Sequence, residues 1–375
     1  MRCQCAFESR ALRKRTALLV NFLLGLFTEV GGRGGVQAVS AQLAQRLAAC
    51  ARSGSAEVEL LALNDSSVDP QLANGQVRGY ERNWLAFALA ALFAGVRASS
   101  IWVAHINLAP LAWLAALLRP RLRYVVVAHG VEVWTARSML QSAALRRADR
   151  VVAVSAYTAR KLELVHGVST EKIVVIPNML ADDLPAVPTA NANPDLILSV
   201  SRLDRDDAYK GIDQLLHALA LVRASRPEAH CMIVGDGNDR ARLEALAHHL
   251  NLEAHVQFAG AVSAAKLGAL YDECAVFCLP SRAEGFGIVF LEAMAHARPI
   301  VALRMAATPE VVSDEVTGVL AADADPHQLC GALLRLLRDP ELCRRMGAAG
   351  RARVKALYLP DVVEPQWQAL LQELA

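Results

Sequence analysis

The sequence predicts an α/β protein made of two doubly wound domains, each built on a parallel sheet. The chain has 375 residues, which is too long for one ordinary hydrophobic core. Apolar runs of strand length alternate with helical patterns along both halves of the chain, as in doubly wound folds. The alternation stops at 178–194, which is rich in Pro, Asn and Asp, and then restarts. We therefore predict a first domain at 1–180, a linker at 181–194, a second domain at 195–360 and a last helix at 361–375.

The first apolar run, 17–27, is predicted to be the opening strand of the first sheet. A basic cluster precedes it, formed by Arg10, Arg13, Lys14 and Arg15, so the segment is also similar to a secretory signal peptide. No small-residue cleavage site follows, and the run leads directly into a glycine-rich turn, which favours a buried parallel strand. The best candidate for a membrane span, 84–96, has 13 residues, which is the length of a core helix.

The remaining elements of the first domain follow from the period of the apolar residues. Buried parallel strands are continuous apolar runs, whereas helices place apolar residues three and four positions apart. The predicted strands are 57–63, 101–105, 123–128, 149–154 and 172–176. The predicted helices are 36–51, 82–94, 108–118 and 156–166.

The second domain repeats this alternation. The predicted strands are 195–201, 229–234, 256–259, 275–280, 299–303 and a short one near 319. The predicted helices are 212–223, 240–250, 264–271, one that opens after Gly287, and then 326–337, 341–357 and 362–374.

One stretch of the second domain, 281–295, carries the strongest functional signal. Glu284 lies in a loop after a buried strand, two glycines open a helix, and Glu292 lies on that helix. Free backbone N–H groups at a helix start bind anions, and glycine lets a ligand approach closely. A carboxylate beside such an anion site can accept hydrogen bonds from sugar hydroxyls. The pattern indicates a ligand with phosphate between two hydroxylated parts, as in a nucleotide sugar.

Two cations are predicted to join these carboxylates. Arg202 and Lys210 follow the first strand of the second domain, and parallel strands end at the same edge of a sheet. Two cations beside a helix N-terminus would hold a diphosphate and stabilise the charge that it gains as a leaving group. Each charged residue taken alone is more often a surface residue, but four in matched positions favour a site.

The first domain offers weaker signals. Gly34 and Gly35 lie between the first strand and a helix, an arrangement that either cradles phosphate or simply makes a tight turn. His129 follows the strand 123–128 at the sheet edge where ligands bind. The alternative for His129 is a structural histidine satisfied by a backbone carbonyl.

Charge is distributed unevenly along the chain, although the net charge is only +2 and no nucleic-acid partner is expected. Residues 1–183 carry 21 Lys and Arg against 13 Asp and Glu, a balance of +8, and the remainder carries 18 against 24, or −6. This asymmetry suits a first domain that contacts an anionic membrane, or it is ordinary surface charge. The predicted membrane contacts are Trp84, Trp113, Arg119, Arg121 and Arg123.

The amino-acid composition limits the class of protein to which this chain can belong. A hydrophobic content of 54% with 20% charged residues is typical of folded globular protein and excludes a disordered chain. The eight cysteines lack metal-site spacing with histidine. They are typical of reduced thiols, so we expect a cytoplasmic protein, peripheral at most on the inner face of the membrane.

Taken in order, these motifs resemble family 4 of the glycosyltransferases, the retaining nucleotide-sugar enzymes of the GT-B superfamily. The resemblance extends over nearly the whole chain, and the Glu-x7-Glu pair with Gly-Phe-Gly is its most specific part. The matching pieces are Gly34-Gly35-Val36-Gln37, His129-Gly130-Val131-Glu132, Ser201-Arg202-Leu203, Lys210-Gly211, Val234-Gly235-Asp236-Gly237 and Leu279-Pro280-Ser281 with Glu284 and Glu292.

The resemblance implies a GT-B fold, in which two Rossmann-like domains face each other across a cleft and the last helix crosses back to the first domain. It also implies that Arg202 and Lys210 bind the donor diphosphate, that Glu284 holds the hydroxyls of the transferred sugar and that Glu292 holds the ribose. His129 would lie near the sugar and the attacking acceptor. The further donor-binding residues implied are Gly34, Gly35, Gly285, Phe286, Gly287, Ile288 and Val289.

The chemistry implied by the resemblance needs no divalent metal and no cofactor, because cations and the helix end neutralise the leaving group. Attack on the front face of the sugar, with the leaving phosphate taking the acceptor's proton, would retain configuration without a dedicated nucleophile or base. The implied reaction moves a hexosyl group from GDP- or UDP-hexose to a glycan or a polyprenyl-linked saccharide, in exopolysaccharide or lipopolysaccharide synthesis. The alternatives are a nucleotide-sugar epimerase of the same fold and a non-catalytic partner subunit; a pyridoxal-phosphate glucan phosphorylase would need a far longer chain.

Three departures from the family pattern accompany these matches. Ala306-Ala307 stand where the family usually has Gly-Gly before Thr-Pro-Glu, and a Cβ at these positions opposes a close approach at that loop. Met179 follows Pro177-Asn178 where the family usually has glycine. An extra Gly31-Gly32 and Arg33 precede the first-domain glycines, so the flap is expected to be longer.

Overall fold

The computed structural model describes residues 21–32, 34–66, 77–136, 138–180, 184–186 and 192–374. Two parallel sheets follow one another along the chain, each with helices packed against it. The predicted opening strand is present from Asn21 onward, and the part of that prediction at 17–20 lies outside the described residues.

The first sheet has seven strands in the order β3-β2-β1-β4-β5-β6-β7. Their continuous apolar composition fits strands that are covered by helices on both faces. The strands are β1 (Asn21–Phe27), β2 (Ala56–Ala62), β3 (Val77–Gly79), β4 (Ser100–Val103), β5 (Arg123–Ala128), β6 (Arg150–Ala153) and β7 (Ile173–Val175). The helices are α1 (Gly35–Arg52), α2 (Trp84–Gly95), α3 (Ala109–Leu118), α4 (Met139–Arg147) and α5 (Ala156–His166).

The second sheet has six strands in the order β10-β9-β8-β11-β12-β13. The strands are β8 (Asn193–Val200), β9 (His230–Val234), β10 (Val256–Gly260), β11 (Cys274–Leu279), β12 (Ile300–Leu303) and β13 (Gly318–Ala321). The helices are α6 (Ile212–Ser225), α7 (Arg240–His249), α8 (Ala264–Glu273), α9 (Ile288–Ala295), α10 (Thr308–Val311), α11 (Pro326–Arg338), α12 (Pro340–Leu357) and α13 (Pro360–Leu374).

The strand order of each sheet places the functional loops together. In both sheets the order reverses at the centre, between β1 and β4 and between β8 and β11. Ligands of open parallel sheets bind outside the carboxyl ends of the strands at such a reversal. The loops after β8 and β11 carry Lys210 and Glu284, and the loops after β1 and β5 carry Gly34 and His129.

The sequence prediction missed two elements of the first domain. β3 has three residues, too few for a periodic pattern, and α4 begins with two exposed apolar residues, Met139 and Leu140, which obscure its helical period. β8 starts at Asn193, two residues before the predicted 195. Pro194 lies where the pairing of β8 with β11 shifts register, between Asn193 and Ile197, and such irregular places in a strand tolerate proline.

The final helix, α13, packs on the first domain although the second domain precedes it in the chain. Trp367 is 3% exposed and lies in the same core cluster as Leu43 and Leu47 of α1. Arg46 of α1 places its guanidinium 4.8 Å from the centre of the Trp367 ring and forms a 2.7 Å ion pair with Glu364. These contacts join the end of the chain to the domain that begins it.

Among the residues that the structure describes, no helix has the length and apolar character needed to cross a bilayer.

Candidate functional site

Lys210 and Glu284, predicted from separate motifs, are in direct contact. The Lys210 Nζ donates to Glu284 Oε1 at 2.6 Å, and the two side chains are 19% and 7% exposed. An ion pair this sheltered is screened less by solvent than a surface pair. The contact therefore sets one cation and one acceptor side by side at the edge of the second sheet.

Backbone contacts between the two loops bring this pair together. β8 and β11 are neighbours in the sheet, with Ile197 paired to Val276. Beyond the strand ends, the backbone N–H of Arg282 donates to the carbonyl of Tyr209 at 2.8 Å. The Lys210 loop is thereby joined to the Glu284 loop one residue from the lysine.

Arg202 is held by a carboxylate that the sequence analysis did not single out. Its Nη2 lies 2.9 Å from Asp207 Oδ2 and 3.1 Å from Oδ1, and Asp207 is buried while the Arg202 side chain is 55% exposed. Burial, and next the Asp207 carboxylate, raise the pKa of Tyr209 above its ordinary value, with a smaller contribution from Glu284. Tyr209 thus lies beside both carboxylates, between the Arg202 and Lys210 parts of the site.

The start of α9 has the geometry of an anion site. Gly287 takes a left-handed conformation with φ of +90° as the residue before the helix, and Ile288 and Val289 form its first turn. The first N–H groups of a helix have no partner within the helix and carry its positive end. Phe286 is buried and packs edge-on against Tyr358, with the ring centres 5.6 Å apart. This contact fixes the loop between Glu284 and α9 to the rest of the second domain.

Glu292 has a partner that sequence reasoning missed. Its Oε2 accepts a 2.8 Å hydrogen bond from the hydroxyl of Tyr271, which is 2% exposed. Burial raises the pKa of the Glu292 carboxyl above its ordinary value, and the Tyr271 hydrogen bond partly opposes that rise. Tyr271 in turn stacks on His296 with the ring centres 5.3 Å apart. The arrangement fixes one carboxylate oxygen and leaves Glu292 half-buried.

The two domains meet at a pair of glycines. A Cβ on Gly285 would overlap the backbone oxygen of His129 and lie 2.9 Å from the Cα of Gly130. Gly130 has φ of +144°, which side chains disfavour, so both positions favour glycine for different reasons. Gly35 of the first domain also faces α9, since a Cβ on it would lie 3.7 Å from Cδ1 of Ile288. The cleft is therefore closed at the loops that carry the predicted site residues.

His129 is 9% exposed, and its two ring nitrogens differ. Nε2 lies 2.6 Å from the carbonyl of Ala104, which can only accept, so Nε2 carries the proton. Nδ1 is buried and finds no hydrogen-bond partner within the described ranges. The contact of Nε2 with a backbone carbonyl is the one expected of a structural histidine, while Nδ1 is left free to bind a polar group of a ligand.

A second histidine, His105, lies beside His129 and was not among the predicted site residues. The two rings stack with their centres 6.3 Å apart. Burial lowers the pKa of His105 to about 4, with Glu132 opposing and His129 adding to the effect. The signal that could have found it is its position just after β4, the strand next to β5.

The loop with Ala306-Ala307 keeps its close approach without the usual glycines. Ala306 takes a left-handed φ of +52°, a conformation that costs energy for a residue with a Cβ. The N–H of Ala307 donates to the carbonyl of Glu284 at 3.2 Å. The loop therefore reaches the Glu284 backbone with alanines at these two positions.

Across the ranges that the structure describes, no three His, Cys, Asp or Glu side chains converge in a way that could hold a metal ion. The six cysteines in those ranges are free thiols.

Comparison with known proteins gives the family. A model described as "Glycosyltransferase Family 4" matches residues 33–183, and one described as "Glycosyl transferases group 1" matches 181–353. A GDP-mannose-dependent alpha-(1-6)-phosphatidylinositol monomannoside mannosyltransferase of Mycobacterium tuberculosis is 32% identical over 289 residues, which is 71% of this chain and 72% of the relative. The chain belongs to glycosyltransferase family 4. The enzyme of the same description from Mycolicibacterium smegmatis is 34% identical over 265 residues, covering 65% of this family 4 chain and 69% of the relative.

Solved structures confirm the GT-B fold of this family 4 glycosyltransferase. Anabaena Alr3699/HepE in complex with UDP superposes with a TM-score of 0.79 at 18% identity, covering 94% of this chain and all of that one. Sucrose-phosphate synthase from Thermosynechococcus elongatus gives a TM-score of 0.77 at 23% identity, covering 94% and 99%. At these identities the likeness concerns the fold alone.

Proposed function

We propose that this glycosyltransferase moves a hexosyl group from a nucleotide-diphosphate sugar to a glycan or polyprenyl-linked saccharide, with retention and without a metal ion. The observation that carries the proposal is the contact of Lys210 with Glu284 in the loop that leads into the N-terminus of α9. A cation and helix N–H groups suit a diphosphate, and the adjacent carboxylate suits sugar hydroxyls.

GDP-mannose is the first candidate among the GDP- and UDP-hexoses. The two mannosyltransferases compared above are described as GDP-mannose-dependent, and they are more similar in sequence than the UDP-bound neighbour. In the donor complex, Arg202 and Lys210 bind the diphosphate, Glu284 binds the sugar hydroxyls and Glu292 binds the ribose. The first-domain residues Gly34 and Gly35 close over the phosphates.

The proposed reaction uses charge stabilisation and positioning rather than a protein nucleophile. The acceptor hydroxyl attacks the anomeric carbon from the face that the diphosphate leaves, and the departing phosphate oxygen takes the hydroxyl proton. Lys210, Arg202 and the start of α9 stabilise the negative charge that grows on that oxygen. Nδ1 of His129, which is buried without a partner among the described residues, forms a hydrogen bond with a hydroxyl of the sugar or the acceptor.

The acceptor side is proposed to work at an anionic membrane, in exopolysaccharide or lipopolysaccharide synthesis. Large apolar side chains are exposed along α2, α3 and the start of α4, and we call this set the apolar face. Its members are Trp84, Leu85, Leu89, Phe93, Leu114, Leu117, Leu118, Met139 and Leu140. An exposed patch of this kind marks an interaction site, and a membrane surface suits it when basic residues surround it.

The charge around the apolar face supports a lipid partner. Residues 82–147 hold eight arginines and one acidic residue, Glu132. Arg82, Arg97 and Arg121 are exposed at the helix ends, whereas Arg119 donates to the Val96 carbonyl. Of the predicted contacts, Trp84 is 49% exposed, and Trp113 is half-buried against the core. The free cysteines support a reducing, cytoplasmic side for this contact.

The test of the transfer function removes each member of the central pair. Lys210→Ala and Glu284→Ala should each lower kcat/KM for sugar transfer by about 100- to 1000-fold, because each removes a group that acts on the donor or its leaving charge. Glu284→Gln keeps the shape of the side chain and removes its charge, so it tests what the charge alone contributes to transfer. Arg335→Ala removes a two-point surface ion pair with Glu315 and should leave transfer unchanged. Near-normal transfer in Lys210→Ala or Glu284→Ala would contradict the assignment.

The donor is identified by a thermal-shift panel that includes GDP-mannose, GDP-glucose and UDP-glucose. A donor at 100 times its Kd stabilises the protein by about 2.7 kcal/mol, so its melting temperature must rise. We expect the largest shift with GDP-mannose and a reduced shift in Lys210→Ala.

A further inference from the structure

Glu310 connects the two domains through both of its carboxylate oxygens. It lies in α10 of the second domain, where Oε2 accepts from the backbone N–H of Ala156 and Oε1 from that of Tyr157, each at 2.7 Å. Ala156 and Tyr157 are the first two residues of α5 in the first domain. The first N–H groups of a helix lack partners within it, and a carboxylate there also interacts favourably with the helix dipole.

The local cap of α5 leaves these two N–H groups for Glu310. Ser155 Oγ accepts from the N–H of Thr158 at 3.1 Å, and the Ser155 carbonyl accepts from Ala159 at 3.0 Å. The remaining groups of the first turn, on Ala156 and Tyr157, are the ones bound across the domain boundary. Glu310 thus completes a helix end that the first domain leaves incomplete.

The backbone of Glu310 is braced within the second domain. Arg353 donates to the carbonyls of Glu310 at 2.7 Å and Val311 at 2.9 Å, and the Tyr358 hydroxyl donates to Glu310 at 3.1 Å. Tyr358 is also the residue that packs edge-on against Phe286, in the loop that carries Glu284 and leads into α9. The carboxylate therefore extends from a segment that is joined to the donor site.

The start of α5 is joined in the same way to the loop of His129. The Trp134 ring lies edge-on to Tyr157 with the centres 5.0 Å apart, and its Nε1 donates to Thr158 Oγ1 at 3.3 Å. Trp134 closes the turn after His129-Gly130, since its N–H donates to the Val131 carbonyl at 3.3 Å. Contacts thus run from Glu310 through α5 to the loop that meets Gly285.

We propose that Glu310 is a positioning residue that holds the first domain against the second, so that the His129-Gly130 loop stays in contact with Glu284-Gly285. It acts through α5 and Trp134 on one side and through the Ala307 contact with the Glu284 carbonyl on the other. The kinetic consequence rests on the proposed sugar transfer, whereas the effect on the cleft is independent of it.

The test compares Glu310→Ala with Asp325→Ala. Asp325 caps α11 inside the second domain by accepting from the N–H of His327 at 3.0 Å, so its loss removes a carboxylate cap without touching the boundary. In Glu310→Ala we expect kcat for transfer to fall by about 10- to 100-fold, the range for lost charge-assisted hydrogen bonds, with GDP binding within about threefold of wild type. Hydrogen exchange of peptides covering 129–134 and 282–287 should rise. Glu310→Gln, which keeps one acceptor oxygen, should fall between wild type and Glu310→Ala.

The outcomes separate this proposal from the transfer function. Unchanged exchange at both loops in Glu310→Ala overturns the proposal, as does an equal rise in Asp325→Ala, which would indicate a general loss of stability in the second domain. Raised exchange with an unchanged kcat overturns the positioning role. If the wild-type protein transfers no sugar, the proposed function fails, and the exchange comparison still decides whether Glu310 closes the cleft.

Discussion

Gly285 and Gly130 allow the cleft to close because neither carries a Cβ at the point where the domains touch. The two residues are 155 positions apart, yet their backbones are close enough that a methyl group on either one would overlap the other loop. Protein interiors are packed tightly, so such an overlap must be relieved by moving the loops apart. The separation of the two halves of the site is thus set by single residues.

Gly285→Ala should lower kcat by about 100-fold, because a displacement of about 1 Å between reacting groups can cost that much. GDP binding to the second domain should stay within about threefold of wild type, since Lys210 and the start of α9 remain. Steady-state kinetics and calorimetric binding measure the two effects. A kcat within about twofold of wild type would show that the loops do not need this contact.

Gly331→Ala is the matched control for that substitution. Gly331 lies within α11, and a Cβ there would meet no other group within 4 Å. Alanine is favoured over glycine inside a helix, so this variant should gain about 0.5–1 kcal/mol in free energy of unfolding with unchanged kinetics.

At the scale of elements, local chemistry accounts for most boundaries. β5 and α5 agree residue for residue with the sequence prediction, because β5 is an unbroken apolar run and α5 has Ser155 as a cap and a left-handed Gly167 at its end. α4 was missed because its first residues, Met139 and Leu140, are apolar but exposed. The apolar residues at the start of α4 therefore belong to the apolar face and not to the side of the helix that packs on the core.

The apolar face on α2, α3 and α4 predicts binding to anionic vesicles. Leu89→Glu and Phe93→Glu should each weaken binding at low salt by about 10- to 100-fold, because burying such a side chain contributes about 1.5–3 kcal/mol. Vesicle co-sedimentation with and without an anionic lipid measures the effect.

Val316→Glu is the control for the apolar face. Val316 is 53% exposed but lies in the second domain, so the same added charge should leave vesicle binding unchanged. Membrane docking is wrong if the wild-type protein stays in the supernatant with anionic vesicles at low salt, or if Val316→Glu weakens binding as much as Leu89→Glu.

For the whole molecule, α13 makes the stability of the first domain depend on the end of the chain. Four tryptophans belong to the first domain, and the fifth, Trp367, is buried against it. Tryptophan fluorescence therefore reports the unfolding of the first domain with its crossing helix, while far-UV circular dichroism reports both domains.

Trp367→Ala should lower the free energy of unfolding of the first domain by about 3–5 kcal/mol, as expected for removing a large buried ring. The fluorescence transition should move to a lower urea concentration. The part of the dichroism transition that comes from the second domain should stay in place. Trp84→Ala, at a 49% exposed position, should change neither. An equal shift of both transitions would contradict the assignment of α13 to the first domain.

The sequence by itself determined the two α/β domains, the strand ends that carry Lys210 and Glu284, and the glycine-opened helix before Glu292. Each of these depends on period, turn chemistry or residue type within one short segment. The tertiary structure alone decided that Gly130 meets Gly285, that Tyr271 holds Glu292 and that Glu310 completes α5. Contacts between distant segments depend on how packed helices and sheets are oriented, and a local pattern of apolar and polar residues does not encode that orientation.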